Sequence, residues 1–209
     1  MTPDVIVPTG TSTGARPKAA RHDSPLKILI VSTSLVPGRR FPAPTTFANA
    51  LVEQGMSVMF AAEVGTLRNE LSRAVHYLRV DNAEDAPVKT AHELSRLIHH
   101  HEPDVVHAHG VRCAVVTALA VKACREKCAR VMTLYSPALL RFPDWIKGPI
   151  VRHSADRFFA PSVELVQELK DLGVAEDRIR LESIEDRHAA GFARASIAVY
   201  RELVGAAGG

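Results

Sequence analysis

The sequence predicts an α/β fold, a single doubly wound parallel sheet of about seven strands followed by a C-terminal helix. Three observations predict it. Short apolar runs alternate with segments of helical periodicity, the pattern of a parallel sheet wrapped by helices. The runs are apolar throughout instead of at every second position, as in strands buried on both faces. The connections are short and punctuated by glycine and proline.

Lys27–Ser32 (KILIVS) is the first such run, and a polar, proline-rich loop from Thr33 to Pro44 follows it. Thr45–Gln54 reads as a helix with Phe47, Ala50 and Leu51 on one face and Gly55 as its stop. Ser57–Ala62 is the second strand; Leu67–Ala74 predicts a short helix, and Val75–Val80 a third strand. Thr90–His101 carries Leu94, Leu97 and Ile98 at helical spacing and ends before Pro103. The fourth strand lies within Pro103–Gly110, with a helix over roughly Ala114–Lys127 after it. Arg130–Leu134 and Arg157–Ala160 are two more strands, and Pro137–Ile150 between them reads as irregular and aromatic. Ser162 is placed to cap a helix running to Leu172, with Gly173 just past its end. Arg178–Leu181 is the last strand. A final helix over Ala189–Val204 sets Phe192, Ser196, Val199 and Leu203 on one face, with Ile197, Tyr200 and Val204 beside them.

Hydrophobic residues make up 46% of the chain and the formal net charge is +3, a balance typical of a globular protein. Residues 1–25 are rich in Pro, Thr, Ser and Gly and are expected to form a disordered arm with neither a signal-peptide core nor enough cations for nucleic acid. Residues 26–182 form the expected domain, and 183–209 a C-terminal helix and tail. No run approaches the ~18 apolar residues of a membrane span. Cys113, Cys124 and Cys128 are odd in number and lack a framework spacing, which points to reduced thiols and a cytoplasmic setting. Cys124 and Cys128 are taken as helix residues instead of metal ligands, since zinc needs about four. The first strand is followed by no G-x-G-x-x-G and no phosphate-loop lysine, which disfavours dinucleotide and P-loop chemistry.

The candidate site is the fourth strand, Asp104-Val105-Val106-His107-Ala108-His109-Gly110. Ligands of parallel α/β sheets bind outside the carboxyl ends of the strands, so histidines there are well placed for chemistry. His107 and His109 are read as facing opposite sides of the sheet, with at most one of them in a given cleft. His107 is taken as a hydrogen-bonded core residue. His109 has either a site function or a structural one. His99, His100 and His101 read as a solvated helix end, favoured by the helix dipole.

The order of these pieces, with Leu51-Val52-Glu53-Gln54-Gly55-Met56-Ser57-Val58, Val131-Met132-Thr133-Leu134 and Ala155-Asp156-Arg157-Phe158-Phe159-Ala160-Pro161-Ser162, resembles the N-terminal Rossmann-like domain of GT-B glycosyltransferases of the GT4 type. The resemblance spans residues 26–182. It implies an acceptor-binding half whose partner half holds the nucleotide-sugar, commonly without a metal, in polysaccharide or glycoconjugate synthesis. His109 corresponds to the family's cleft histidine and is the implied catalytic residue. Gly38, Arg39, Arg40, Gly110, Tyr135 and Ser162 are the implied substrate-binding residues.

Three departures qualify it. The first loop has a single glycine, Gly38, where the family carries a pair. Arg39 and Arg40 either bind an anion in its place or form an exposed basic loop. Thr133-Leu134-Tyr135 stands where the family often has Thr-x-His. The stretch after Leu181 is too short for a nucleotide-sugar domain, so a partner chain is expected to supply it; Glu168 and Glu176 only mimic that domain's glutamate spacing.

Residues 139–153 mix aromatics and cations and could meet a membrane surface or a partner. Pro143 and Pro149 favour a loop in which Phe142 and Trp145 close the core, and the pI near 8.9 supports only weak peripheral contact with an anionic membrane face. The first functional expectation is thus a glycosyltransferase acceptor domain that acts on a nucleotide-sugar and a sugar or lipid-linked acceptor once a donor half joins it, with no cofactor and no nucleic acid. The alternative is a non-catalytic binding or assembly module derived from such an enzyme, and a weaker third reading is a flavodoxin-like ligand binder.

Overall fold

The computed structural model describes residues 24–32, 44–63, 65–81, 85–135, 144–182 and 189–207. The strands are β1 (Lys27–Ser32), β2 (Ser57–Ala62), β3 (His76–Arg79), β4 (Val105–His109), β5 (Ala129–Thr133), β6 (Arg157–Ala160) and β7 (Ile179–Leu181). The α-helices are α1 (Pro44–Glu53), α2 (Pro87–His101), α3 (Val111–Cys124), α4 (Asp144–Ser154), α5 (Val163–Asp171) and α6 (Ala189–Ala207). All seven strands pair in parallel in the order β3-β2-β1-β4-β5-β6-β7. The order reverses between β1 and β4, and the crevice outside the carboxyl ends of those two strands is where such folds bind ligands.

Each face of the sheet has its own apolar core. Leu29, Val31, Val106, Ala108 and Met132 point to one side and pack under α2, α3, α4 and α5. Ile28, Ile30, Val105, Val131 and Phe159 point to the other, against Phe47 and Leu51 of α1 and Phe192 and Tyr200 of α6. Helix boundaries follow local chemistry. Gly55 at φ +80° ends the turn after α1, where the Gly55 and Met56 amides return to the Val52 and Leu51 carbonyls. Ser162 accepts from the Leu165 amide at 3.4 Å and so caps α5 as expected.

Several boundaries differ from the sequence expectation. The helix expected over Leu67–Ala74 is a single 3₁₀ turn at Thr66–Glu70. Helix α2 starts three residues early because Pro87 sits in its first turn, where a missing N–H costs nothing. Helix α3 starts directly after Gly110, and Cys128 therefore lies in the loop before β5, not on a helix. None of the three cysteines forms a disulfide.

The larger correction is α4, which occupies much of a segment expected to be irregular. Pro149 lies inside it, yet Val151 and Ser154 are buried and Gly148 meets the Leu172 carbonyl after α5. Tertiary packing here outweighs the proline's penalty. Phe142 lies outside the described residues, as do residues 1–23 of the expected arm.

Candidate functional site

His109 is the last residue of β4, aligned with Ser32 at the end of β1 and Thr133 at the end of β5. It therefore stands at the carboxyl edge of the sheet, beside the point where strand order reverses. Gly110 follows at φ +92°, a conformation that favours glycine, and its amide donates to the Thr133 carbonyl at 2.9 Å. The chain can then turn at once into α3, leaving His109 at the rim.

The expectation that His107 and His109 face opposite sides is overturned. Residues two apart on a strand share a face, and the two imidazoles stack with ring centroids 4.8 Å apart and planes 21° apart. Both lie on the α1–α6 side, where Phe47 meets His107 at 5.3 Å and His109 at 5.6 Å. The aromatic cluster continues through Phe192, 4.7 Å from Phe47.

The two rings differ in their partners. His107 is 0% exposed, its Nδ1 lies 2.5 Å from the Tyr200 hydroxyl and its Nε2 2.7 Å from Thr133 Oγ1. It is the hydrogen-bonded core residue the sequence led us to expect. His109 is 6% exposed; its Nδ1 pairs with the Tyr135 hydroxyl, whose ring stacks against it at 5.7 Å. The His109 Nε2 is buried and has no hydrogen-bond partner among the described residues.

Burial dominates the electrostatics. Desolvation lowers His109 to about 3. It also drives His107 well below the ordinary histidine value, with the neighbouring His109 acting in the same direction. Burial pushes the Tyr135 and Tyr200 phenols up. All four groups are therefore neutral at pH 7, and the cluster is polar but uncharged.

Of the residues singled out from sequence, the structure brings together His109, Gly110 and Tyr135. Ser162 stands at the carboxyl end of β6, two strands away, as the cap of α5. Gly38, Arg39 and Arg40 lie outside the described residues. Sequence reasoning missed Thr133 and Tyr200 as members of the histidine cluster. Their signals were present: Thr133 occupies the same strand register as His109, and Tyr200 lies on the apolar side of the last helix.

Two other features carry no comparable chemistry. A hollow of about 800 Å³ is lined by Lys122, Arg130, Arg152, Asp156, Arg157 and Arg178, at the amino ends of β5 and β6. Its arginines are largely committed: Arg130 to Asp156 at 2.6 Å, Arg157 to Glu202 at 2.7 Å, and Arg178 to the Arg152 carbonyl at 2.8 Å. In the histidine run, His99 bonds Glu126 at 2.9 Å, and no group of three or more His, Cys, Asp or Glu among the described residues is placed to hold a metal ion. Among those residues no helix is long and apolar enough to cross a membrane.

Comparison with solved structures gives the fold a wide kinship. Anabaena HepE, solved with UDP and glucose, matches with 15% identity and a TM-score of 0.54 over 75% of this chain and 44% of its own. A glycosyltransferase from Rickettsia africae matches with 20% identity and a TM-score of 0.60 over 75% of this chain and 42% of its own. A UDP-GlcNAc 2-epimerase from Methanocaldococcus jannaschii matches with 17% identity and a TM-score of 0.54 over 75% and 45%. At these identities the likeness establishes the fold alone, and the chain spans less than half the length of each. No curated protein matches the chain. The family model Glycosyltransferase Family 4, however, matches residues 45–181, from α1 to the end of β7 and through the whole histidine strand, and the chain belongs to that family.

Proposed function

We propose that this chain is the acceptor-side half of a glycosyltransferase, moving a sugar from a nucleotide-sugar to a sugar or lipid-linked acceptor once a donor-binding half completes the cleft. The observation that supports the reading is His109 Nε2, a buried imidazole nitrogen without a partner among the described residues, at the carboxyl edge of the sheet beside the β1–β4 reversal. An unsatisfied buried polar atom costs about 1–3 kcal/mol, and a ligand that bonds it recovers that cost.

The low proton affinity of His109 decides its role. A general base works best with a pKa near the operating pH, and a value of about 3 lies far below it. His109 therefore acts by hydrogen bonding. Tyr135 keeps its proton, and in the tautomer proposed here its hydroxyl donates a hydrogen bond to Nδ1 while Nε2 carries the N–H offered to a ligand oxygen. Tyr135, in the place of a second imidazole, sets this tautomer. Gly110 keeps the turn narrow, and Ser162 lends its hydroxyl between the α5 cap and an acceptor hydroxyl. Arg39 and Arg40, which follow β1 in the sequence, supply cations for the diphosphate leaving group, which the histidine cluster itself does not offer. HepE and the epimerase were each identified as proteins of UDP-linked sugars, which supports a nucleotide-sugar as donor here.

The reading is tested by assaying UDP release from UDP-sugars with the purified chain alone and together with a donor half, in cis or as a partner protein. Release only in the combined sample is expected. Neither binding nor release in either sample would overturn the proposal; binding without release would instead select the non-catalytic module.

A further inference from the structure

We infer that His107 and Tyr200 are a positioning pair for His109, so that helix α6 sets the pose of the cleft histidine from beneath. This rests on the reading of His109 as the ligand-facing residue. His109 is held between two rings, Tyr135 on one side and His107 on the other, at 5.7 and 4.8 Å between centroids. The Tyr135 side is half-buried; the His107 side is sealed in the core.

His107 is hydrogen-bonded at both nitrogens. A neutral imidazole carries a single N–H, so one of its nitrogens donates and the other accepts. In the proposed tautomer the Tyr200 hydroxyl donates to Nδ1 and the Nε2–H donates to Thr133 Oγ1, at 2.5 and 2.7 Å. A ring bonded at both ends can neither flip nor rotate. It presents one neutral face to His109, whose own hydrogen bonding inside the described structure stops at Nδ1.

Packing alone does not account for the Tyr200 hydroxyl. The side chain is 0% exposed within a cluster that already contains Phe47, Phe159 and Phe192, and phenylalanine would serve that surface without burying an oxygen. The hydroxyl meets His107, 93 residues away in the chain, and the Ser196 side chain one turn earlier on α6 also acts on it. A shift of α6 against α1 is thereby felt at the ring beneath His109.

The test is long-range proton–nitrogen NMR on the full chain with labelled histidine, which reads the tautomer of each imidazole. In the native protein His107 is expected to carry its proton on Nε2, with Nδ1 as acceptor. In Tyr200→Phe the His107 signals should move toward a tautomer mixture, and the His109 nitrogen signals should move with them. A purely structural Tyr200 would change stability and leave the His109 signals in place. Finding His107 protonated on Nδ1 in the native chain would overturn the proposal without any variant, as would unchanged His109 signals in Tyr200→Phe. Thr133→Val, which removes the Nε2 acceptor, should perturb both rings in a second, independent way. Failure of the sugar-transfer reading would appear as absent turnover and leave these NMR outcomes unaltered.

Discussion

At the scale of single residues, the stacked histidines make stability depend on acidity in a direction that can be worked out. In the unfolded chain each imidazole binds a proton near pH ~6.5. In the folded chain His109 does so only at about 3, and His107 is displaced the same way. Between those values the unfolded state holds more protons, so stability is complete above ~6.5 and falls as pH drops toward 3. The loss reaches about 1.4 kcal/mol per pH unit for each histidine. Urea unfolding at pH 7 and pH 5 should show it, and His109→Gln should flatten the difference by roughly 2 kcal/mol, one histidine's share over that interval. Equal pH dependence in variant and native chain would contradict the buried, neutral state. The histidine pair also shows where sequence reading went astray. His109 was legible as a site because strand and glycine fix its place at the sheet edge. That His107 shares its face was legible too, from the two-residue period of a strand, and was misread.

At the scale of elements, strands were far easier to read than the α4 segment. A strand buried on both faces must be apolar throughout, so KILIVS and SVMFAA declare themselves. Helix α4 declares nothing of the kind, because Pro149 and a mixed composition hide it, and its stability comes from contacts distant in sequence. Gly148 is the clearest of these. A Cβ there would lie 2.9 Å from the Leu172 carbonyl oxygen, too close for a real contact, so α4 approaches the end of α5 through the missing side chain. Gly-to-Ala inside a helix normally stabilises by up to about 1 kcal/mol. At this position overpacking against backbone, typically about 1–3 kcal/mol, outweighs that gain. Gly148→Ala should therefore lower the melting temperature by several degrees in a calorimetric scan; a rise would show that the helices separate freely. The link from α6 to β4 was beyond local pattern altogether, since Tyr200 and His107 meet only once the chain has folded.

At the scale of the whole molecule, the strand order converts a string of ordinary strands into a site. The sheet reverses between β1 and β4, and so β4 carries its histidine to the one edge position where the flanking connections diverge. The family match over residues 45–181 and the structural likeness over less than half of each neighbour's length fit a single Rossmann-like domain. The fold was legible because strands and helices alternate again and again along the chain, and errors at one boundary do not alter it. The chemistry was less legible, since it depends on rings meeting across β4, β5 and α6 and on a first loop outside the described residues. His109 is proposed to orient the reacting sugars through Nε2, which has no partner among the described residues. The most direct measurement compares the rate of UDP release from a UDP-sugar, with acceptor and donor half present, for the native chain and for His109→Gln. The account predicts a fall of about 100-fold, the usual loss when one oriented donor is removed from a reacting oxygen, with the fold and the His107 tautomer intact. An unchanged rate in a folded His109→Gln variant would contradict it.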